Sequence, residues 1–257
     1  MIPKKIHYCW FGNGPKNELF YKCLESWKKY CPDYEIIEWN ESNYDVTKNQ
    51  YMLEAYQAKR WGFVSDYARL DIVYNHGGIY LDTDVEMVKP FDDLLELKGF
   101  AGFEMPDRAS KAFAVNTGSG FGAEKNNAII KKMRDEYEGV SFINSDGMQN
   151  LTPSPKFNSE GLEKCGFTMN GEKQAIDGFT VFPAVSFCPL NWANKKGKIG
   201  KETYSIHHFD VSWLTEDEKK KRARERRRDI ILHFPNRCLM KLLGKSKYES
   251  FKKKIRK

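Results

Sequence analysis

The sequence predicts an α/β domain on a largely parallel sheet, with a short basic tail behind it. Three observations carry this. Strand-like and helix-like apolar periods alternate through the first 85 residues, glycines and prolines punctuate them, and the charge balance changes sign near residue 214. The expected domains are 1–214 for the globular body and 215–257 for the tail.

Taken in order, residues 5–11 (Lys-Ile-His-Tyr-Cys-Trp-Phe) read as a first strand, closed by the turn Gly12-Asn13-Gly14-Pro15. Leu19, Phe20, Cys23, Leu24 and Trp27 recur at helical spacing, which predicts a helix over 17–30, stopped before Pro32. Tyr34 to Trp39 is rich in β-branched and aromatic residues and reads as a second strand. Helices are expected over about 50–60 and 62–76, the latter ended by Gly77-Gly78, and a third strand over Ile79 to Val85. Further on, 99–104 and 112–115 read as strands and 123–137 as an amphipathic helix. Residues 139–175 give no clear period, and 180–187 and 203–209 are short strand-like runs.

The chain of 257 residues is long enough for one domain with a substantial core, and 14% aromatic content leaves rings over for ligands. No stretch of about 18 apolar residues occurs, and the first residues do not form a signal peptide, so the expected location is the cytosol. Six cysteines stand apart with no Cys-x-x-Cys pair, which fits free thiols in a reducing compartment. From Thr215 onward there are 17 Lys+Arg against 6 Asp+Glu, whereas the first 214 residues carry 25 against 29. A mildly acidic body is therefore joined to a strongly basic end.

Asp82 and Asp84, two apart on the expected third strand, would share a face at its carboxyl end, where open α/β sheets bind ligands. Two carboxylates held together favour a hard divalent cation between them, Mg²⁺ or Mn²⁺, which would neutralise a departing diphosphate. On the preceding helix Asp66 and Arg69 lie three apart and share a face.

The run Trp61-Gly62-Phe63-Val64-Ser65-Asp66-Tyr67-Ala68-Arg69-Leu70, continued by Gly77-Gly78-Ile79-Tyr80-Leu81-Asp82-Thr83-Asp84, resembles the sugar-binding Asp-x-Asp region of glycosyltransferase family 32. The glucosylating domains of large bacterial toxins are similar in the same stretch. Ile6-His7-Tyr8-Cys9-Trp10-Phe11-Gly12 resembles that family's first strand, and Tyr204 to Trp213 its closing His…Ser-Trp element. The resemblance implies the GT-A nucleotide-diphospho-sugar transferase fold, a Rossmann-like central sheet flanked by helices. It implies a metal-dependent hexosyl transfer with retention, from a UDP-hexose or GDP-mannose donor to a glycan or lipid-linked acceptor, as in capsular or other cell-surface polysaccharide synthesis. It places Asp82 and Asp84 on the metal with one of His207 and His208. Asp66 and Arg69 would hold sugar hydroxyls, and Trp10 would stack on the base. Tyr80, Asn116, Ser212 and Trp213 would complete the donor site.

The basic run 219–228 and the apolar residues after it suit an anionic membrane surface, which would make the protein peripheral at the inner face of the cell membrane. Nucleic acid is not an expected partner, since no nucleic-acid motif accompanies the charge and the body is acidic. Two rival readings use the same residues. A haloacid-dehalogenase-like phosphoryl enzyme would use Asp82 as nucleophile, and a non-catalytic membrane-adaptor module would keep the acid pair as structure.

Overall fold

A computed structural model describes residues 1–106, 112–191 and 195–210. The first strand, β1 (Lys5–Cys9), lies one in from the edge of the sheet and is almost wholly buried. Helix α1 (Glu18–Tyr30) follows, its first turn capped by the Asn17 side chain, which accepts from the Phe20 N–H at 2.9 Å. Phe20, Cys23 and Trp27 face the core from one side of it. Next come β2 (Glu35–Trp39), α2 (Gln50–Gln57) and α3 (Trp61–His76). Helix α3 is buried along most of its length, including the polar Arg69 and Asp71, and stops at Gly77. Gly77 and Gly78 have φ of 66° and 101°, a left-handed backbone that glycine adopts without the Cβ penalty, so the chain reverses directly into β3 (Gly78–Tyr80).

Beyond it lie β4 (Val85–Met87), β5 (Gly99–Gly102), β6 (Phe121–Ala123), α4 (Ala128–Asp135) and α5 (Ser154–Glu163). The described chain closes with β7 (Gln174–Ile176), β8 (Phe179–Phe182), α6 (Ala184–Phe187) and β9 (Ser205–His207). Seven strands form one sheet in the order β2-β1-β3-β6-β5-β8-β7, and β4 pairs with β9 in a separate ribbon. Ile6, Ile79, Leu81 and Phe100 pack with Phe20 and Trp27 of α1 and with Phe91 and Phe187 in one apolar core.

The α/β class is as expected, but the sheet is mixed. β1 runs parallel to β2 and β3, and β5 to β8, whereas β6 is antiparallel to both β3 and β5 and β7 is antiparallel to β8. The expected strand over 79–85 breaks in two, because Asp82-Thr83-Asp84 forms a turn closed by the Val85 N–H on the Asp82 carbonyl at 3.0 Å. Residues 112–115 contribute a single bridge, Val115 to Phe103, instead of a strand. The expected helix over 123–137 shortens at its start: Ala123 ends β6, the chain turns through Asn126 at φ 62°, and Asn127 caps α4. Helix α5 arises in the stretch that gave no period, with Pro155 in its first turn, where the missing N–H costs nothing.

Candidate active site

The turn after β3 and the end of β9 meet at the carboxyl edge of the main sheet. Strand β3 carries the chain out to Asp82, whose N–H donates to the Gly118 carbonyl at 3.0 Å. The β4–β9 ribbon sets His207 opposite Val85, so a residue far along the chain arrives beside Asp84. Asp82, Asp84 and His207 each offer one ligand atom, and these atoms lie within 4.8 Å of one another. His207 Nε2 is 3.1 Å from Asp84 Oδ1, its Nδ1 is 3.1 Å from the Ser119 hydroxyl, and its ring stacks on Phe209 at 4.2 Å. The second Asp84 oxygen accepts from the Asp210 N–H at 2.8 Å. His208 points elsewhere, its Nε2 lying 2.9 Å from Glu86, a carboxylate shared with Lys22. Adjacent residues of an extended chain face opposite ways, so of the two histidines only His207 enters the group.

Arg69 joins the helix pair to the turn. Its Nη2 lies 2.8 Å from Asp66 and 3.3 Å from Asp82, its Nε donates to the Ser65 carbonyl, and its guanidinium sits 5.3 Å from the Tyr80 ring centre. Tyr80 is fully buried beneath that guanidinium, so it backs the site instead of lining it. Asn116 is buried; its carbonyl oxygen accepts from the Gly118 N–H at 2.8 Å and its amide donates to Glu104 at 2.9 Å. Trp10 is half-buried just past the end of β1, donates to the Gly14 carbonyl and packs on Phe20. Ser212 and Trp213 lie outside the described residues, as does the basic run 219–228.

The electrostatics of the group divide its carboxylates. Burial pushes Asp66 up to about 6, against the pull of Arg69, and burial raises Asp82 in the same way against Arg69 and His207. Burial would raise Asp84 too, but the charge and hydrogen bond of His207 and the Asp210 N–H hold it well below the carboxylate range. Burial opposes a charge on His207, yet Asp84 and Asp82 raise its affinity for a proton. His207 and the guanidinium of Arg69 thus act on the acid pair from either side. Two hard carboxylates and one imidazole nitrogen form a donor set that suits Mn²⁺ or Mg²⁺, so the residues fit the expected cation; its binding would displace the His207 proton.

Three contributors escape the sequence reading. Any Cβ at Gly118 would collide with the Asp82 carboxylate and sit 2.9 Å from Arg69 Nη1, so a side chain here must displace one of the two. Ser119 orients His207, as noted, and Ser154 at the start of α5 hydrogen-bonds Asp66. The glycine-rich run Asn116-Thr117-Gly118-Ser119-Gly120 signals a turn, but not which strand end it covers.

The family described as "Glycosyltransferase sugar-binding region containing DXD motif" matches residues 17–100, which contain Asp66, Arg69, Asp82 and Asp84. "Subversion of eukaryotic traffic protein A" of Legionella pneumophila is 26% identical over 176 residues, 58% of this chain and 27% of that protein. "Inositol phosphoceramide mannosyltransferase 3" of Schizosaccharomyces pombe is 33% identical over 105 residues, 37% of this chain and 27% of that protein. The chain therefore spans about a quarter of the length of each of these two curated relatives. Among solved structures, "PaToxG Glycosyltransferase" is similar with a TM-score of 0.49 and 21% identity over 63% of this chain and 69% of that one. A glycosyltransferase involved in glycosylating the major capsid of PBCV-1 gives 0.46 and 14% over 84% and 98%. Residues 17–100, with the Asp82-Thr83-Asp84 turn near their end, are thus similar to a glycosyltransferase sugar-binding region containing a DXD motif.

Proposed function

We propose that this protein is a GT-A-type, metal-dependent glycosyltransferase that moves a hexose from a nucleotide-diphosphate sugar to a glycan or lipid-linked acceptor, with retention of configuration. The observation that carries the reading is the convergence of Asp82, Asp84 and His207 within 4.8 Å, tied through Arg69 to Asp66. The family match over residues 17–100, which hold Asp66, Arg69, Asp82 and Asp84 but not His207, favours sugar transfer over phosphoryl transfer. So does the ion pair of Asp82 with Arg69, which stabilises that carboxylate and lowers its value as a nucleophile.

In this reading Asp82, Asp84 and His207 hold Mn²⁺ or Mg²⁺. A cation held there would supply positive charge against the departing diphosphate. Arg69 and Asp66 fix the hexose: the guanidinium donates to sugar oxygens, and the Asp66 carboxylate accepts from a hydroxyl. Trp10 stacks on the base, uracil or guanine. The acceptor hydroxyl gives its proton to the leaving phosphate oxygen, so no dedicated general base is needed. The decisive experiment measures sugar-nucleotide hydrolysis across UDP-glucose, UDP-galactose, UDP-N-acetylglucosamine and GDP-mannose at saturating Mn²⁺. Asp84→Asn is expected to lose at least about a hundredfold in rate; near-normal hydrolysis would remove the metal assignment.

The domains are proposed as 1–214 for catalysis and 215–257 for attachment to an anionic membrane surface, in keeping with capsular or cell-surface glycan synthesis at the inner face of the membrane. A relative named for mannosyl transfer involving inositol phosphoceramide supports a membrane-resident acceptor. Among the described residues no helix is long and apolar enough to cross a membrane.

A further inference from the structure

Asn116 was expected to line the sugar pocket, but both ends of its amide are engaged by the protein. Its oxygen caps the Gly118 N–H, and the cap holds the glycine that lies against Asp82. Its nitrogen donates to Glu104 Oε2 at 2.9 Å. Glu104 lies two residues past the end of β5; its N–H donates to the Ala114 carbonyl at 2.8 Å, and that of Asn116 to the Gly102 carbonyl at 3.0 Å. The backbone there is therefore tied on both strands, and the Glu104 carboxylate leaves a fixed base.

That carboxylate is half-buried, near enough to His207 to interact with its charge, and among the described residues it pairs with no Lys or Arg. Burial raises its proton affinity, against the Asn116 amide and His207, which lower it. Among the described residues Oε1 accepts no hydrogen bond, while Oε2 is held by Asn116. A half-buried carboxylate without a counter-ion is costly to keep. A ligand bearing neutral hydroxyl donors compensates that cost, since each hydroxyl gives a charge-assisted hydrogen bond. The Arg69–Asp66 pair and Glu104 are linked through Asp82, Gly118 and Asn116, all at the outer edge of neighbouring strands.

We propose that Glu104 binds hydroxyl groups of a hexose at the active site, and that Asn116 is the positioning residue that aims it. The inference rests on the glycosyltransferase reading above. The hexose could be that of the donor or that of the acceptor glycan, and the two sources separate experimentally. In the test, Glu104→Gln and Glu104→Ala are compared with the unaltered chain in the presence of Mn²⁺. Calorimetry measures binding of UDP and GDP, and kinetics measure hydrolysis of the four-donor panel and transfer to a glycan acceptor.

If Glu104 holds the donor hexose, affinity for nucleoside diphosphate stays the same. The KM for sugar-nucleotide hydrolysis then rises at least about tenfold in Glu104→Ala and less in Glu104→Gln, which keeps one acceptor oxygen. If it holds the acceptor hexose, the KM for acceptor rises instead. Asn116→Ala is expected to reproduce the Glu104→Ala KM change in milder form. Unchanged KM for both donor and acceptor in the two Glu104 variants, with normal nucleotide affinity, overturns the proposal. Failure of the underlying reading looks different. The unaltered chain then neither binds nucleoside diphosphate nor hydrolyses any donor, and the proposal falls with it.

Discussion

Gly118 and Asp82 touch so closely that one methyl group separates a working site from a displaced one. A Gly118→Ala chain must move the Asp82 carboxylate or the Arg69 guanidinium. Hydrolysis is expected to drop by at least about a hundredfold, since about an ångström of misplacement is enough for that, while the melting temperature changes little. The histidine pair gives a second contrast. His207→Ala removes the proposed third ligand and should weaken Mn²⁺ binding at least about tenfold, measured by calorimetry. His208→Ala removes only the contact with Glu86 and should leave Mn²⁺ affinity within about threefold. His7 supplies a pH prediction away from the site. Its Nε2–H donates to the Gly77 carbonyl at 2.8 Å, and its Nδ1 accepts from the Trp39 indole at 3.1 Å, which fixes a neutral ring. Burial, against the Gly77 hydrogen bond, lowers it from 6.5 to about 4. The unfolded chain therefore takes up the proton first on acidification. The contribution of the neutral ring is complete above about pH 6.5 and is lost as the pH falls toward 4, about 3 kcal/mol in all. Urea titrations should show that slope in the unaltered chain and a shallower one in His7→Gln.

At the scale of elements, α1 and the β4–β9 ribbon hold the turn in place. The Trp27 indole reaches from α1 to donate to the Val85 carbonyl at 2.7 Å, at the residue that faces His207 across the ribbon. Trp27→Phe keeps most of the apolar volume but leaves that buried carbonyl unpaired. It should cost about 1–3 kcal/mol in urea unfolding and loosen Mn²⁺ binding along with it. The elements differ in how plainly their sequences announced them. Phe20, Cys23 and Trp27 on α1, and Gly77-Gly78 after α3, carry period and punctuation that short-range physics dictates. Helix α5 does not, because its buried face mixes Ser154, Asn158 and Ser159 with Phe157 and Leu162, and polar residues erase the period. The acid pair was legible as chemistry but not as geometry. A carboxylate spacing of two reads as a strand face, whereas here the backbone turns between the residues. Glu104 and Gly118 were hidden for another reason: their roles come from β5 and β6 lying next to each other in the sheet, and no local pattern encodes that neighbourhood.

Charge is distributed unevenly over the whole molecule. An acidic body of 25 basic against 29 acidic residues joins an end carrying 17 against 6. A patch of this sign is drawn to anionic lipid by about 1 kcal/mol per basic residue near the surface, and salt screens it. The full chain is expected to float with vesicles containing anionic lipid at low salt and to be released at high salt. A chain ending at Leu214 should stay unbound in both conditions. Equal flotation of the two chains would reassign the tail.

The ribbon that pairs Val85 with His207 has a consequence in time as well as in space. On a translating ribosome Asp82 and Asp84 emerge long before the histidine that completes their group. Until then the nascent chain exposes two carboxylates and no third ligand, with little hold on a scarce cation. On the proposed metal reading, a cation is acquired only after nearly all of the described body has been made, so that cation capture reports completed folding instead of initiating it.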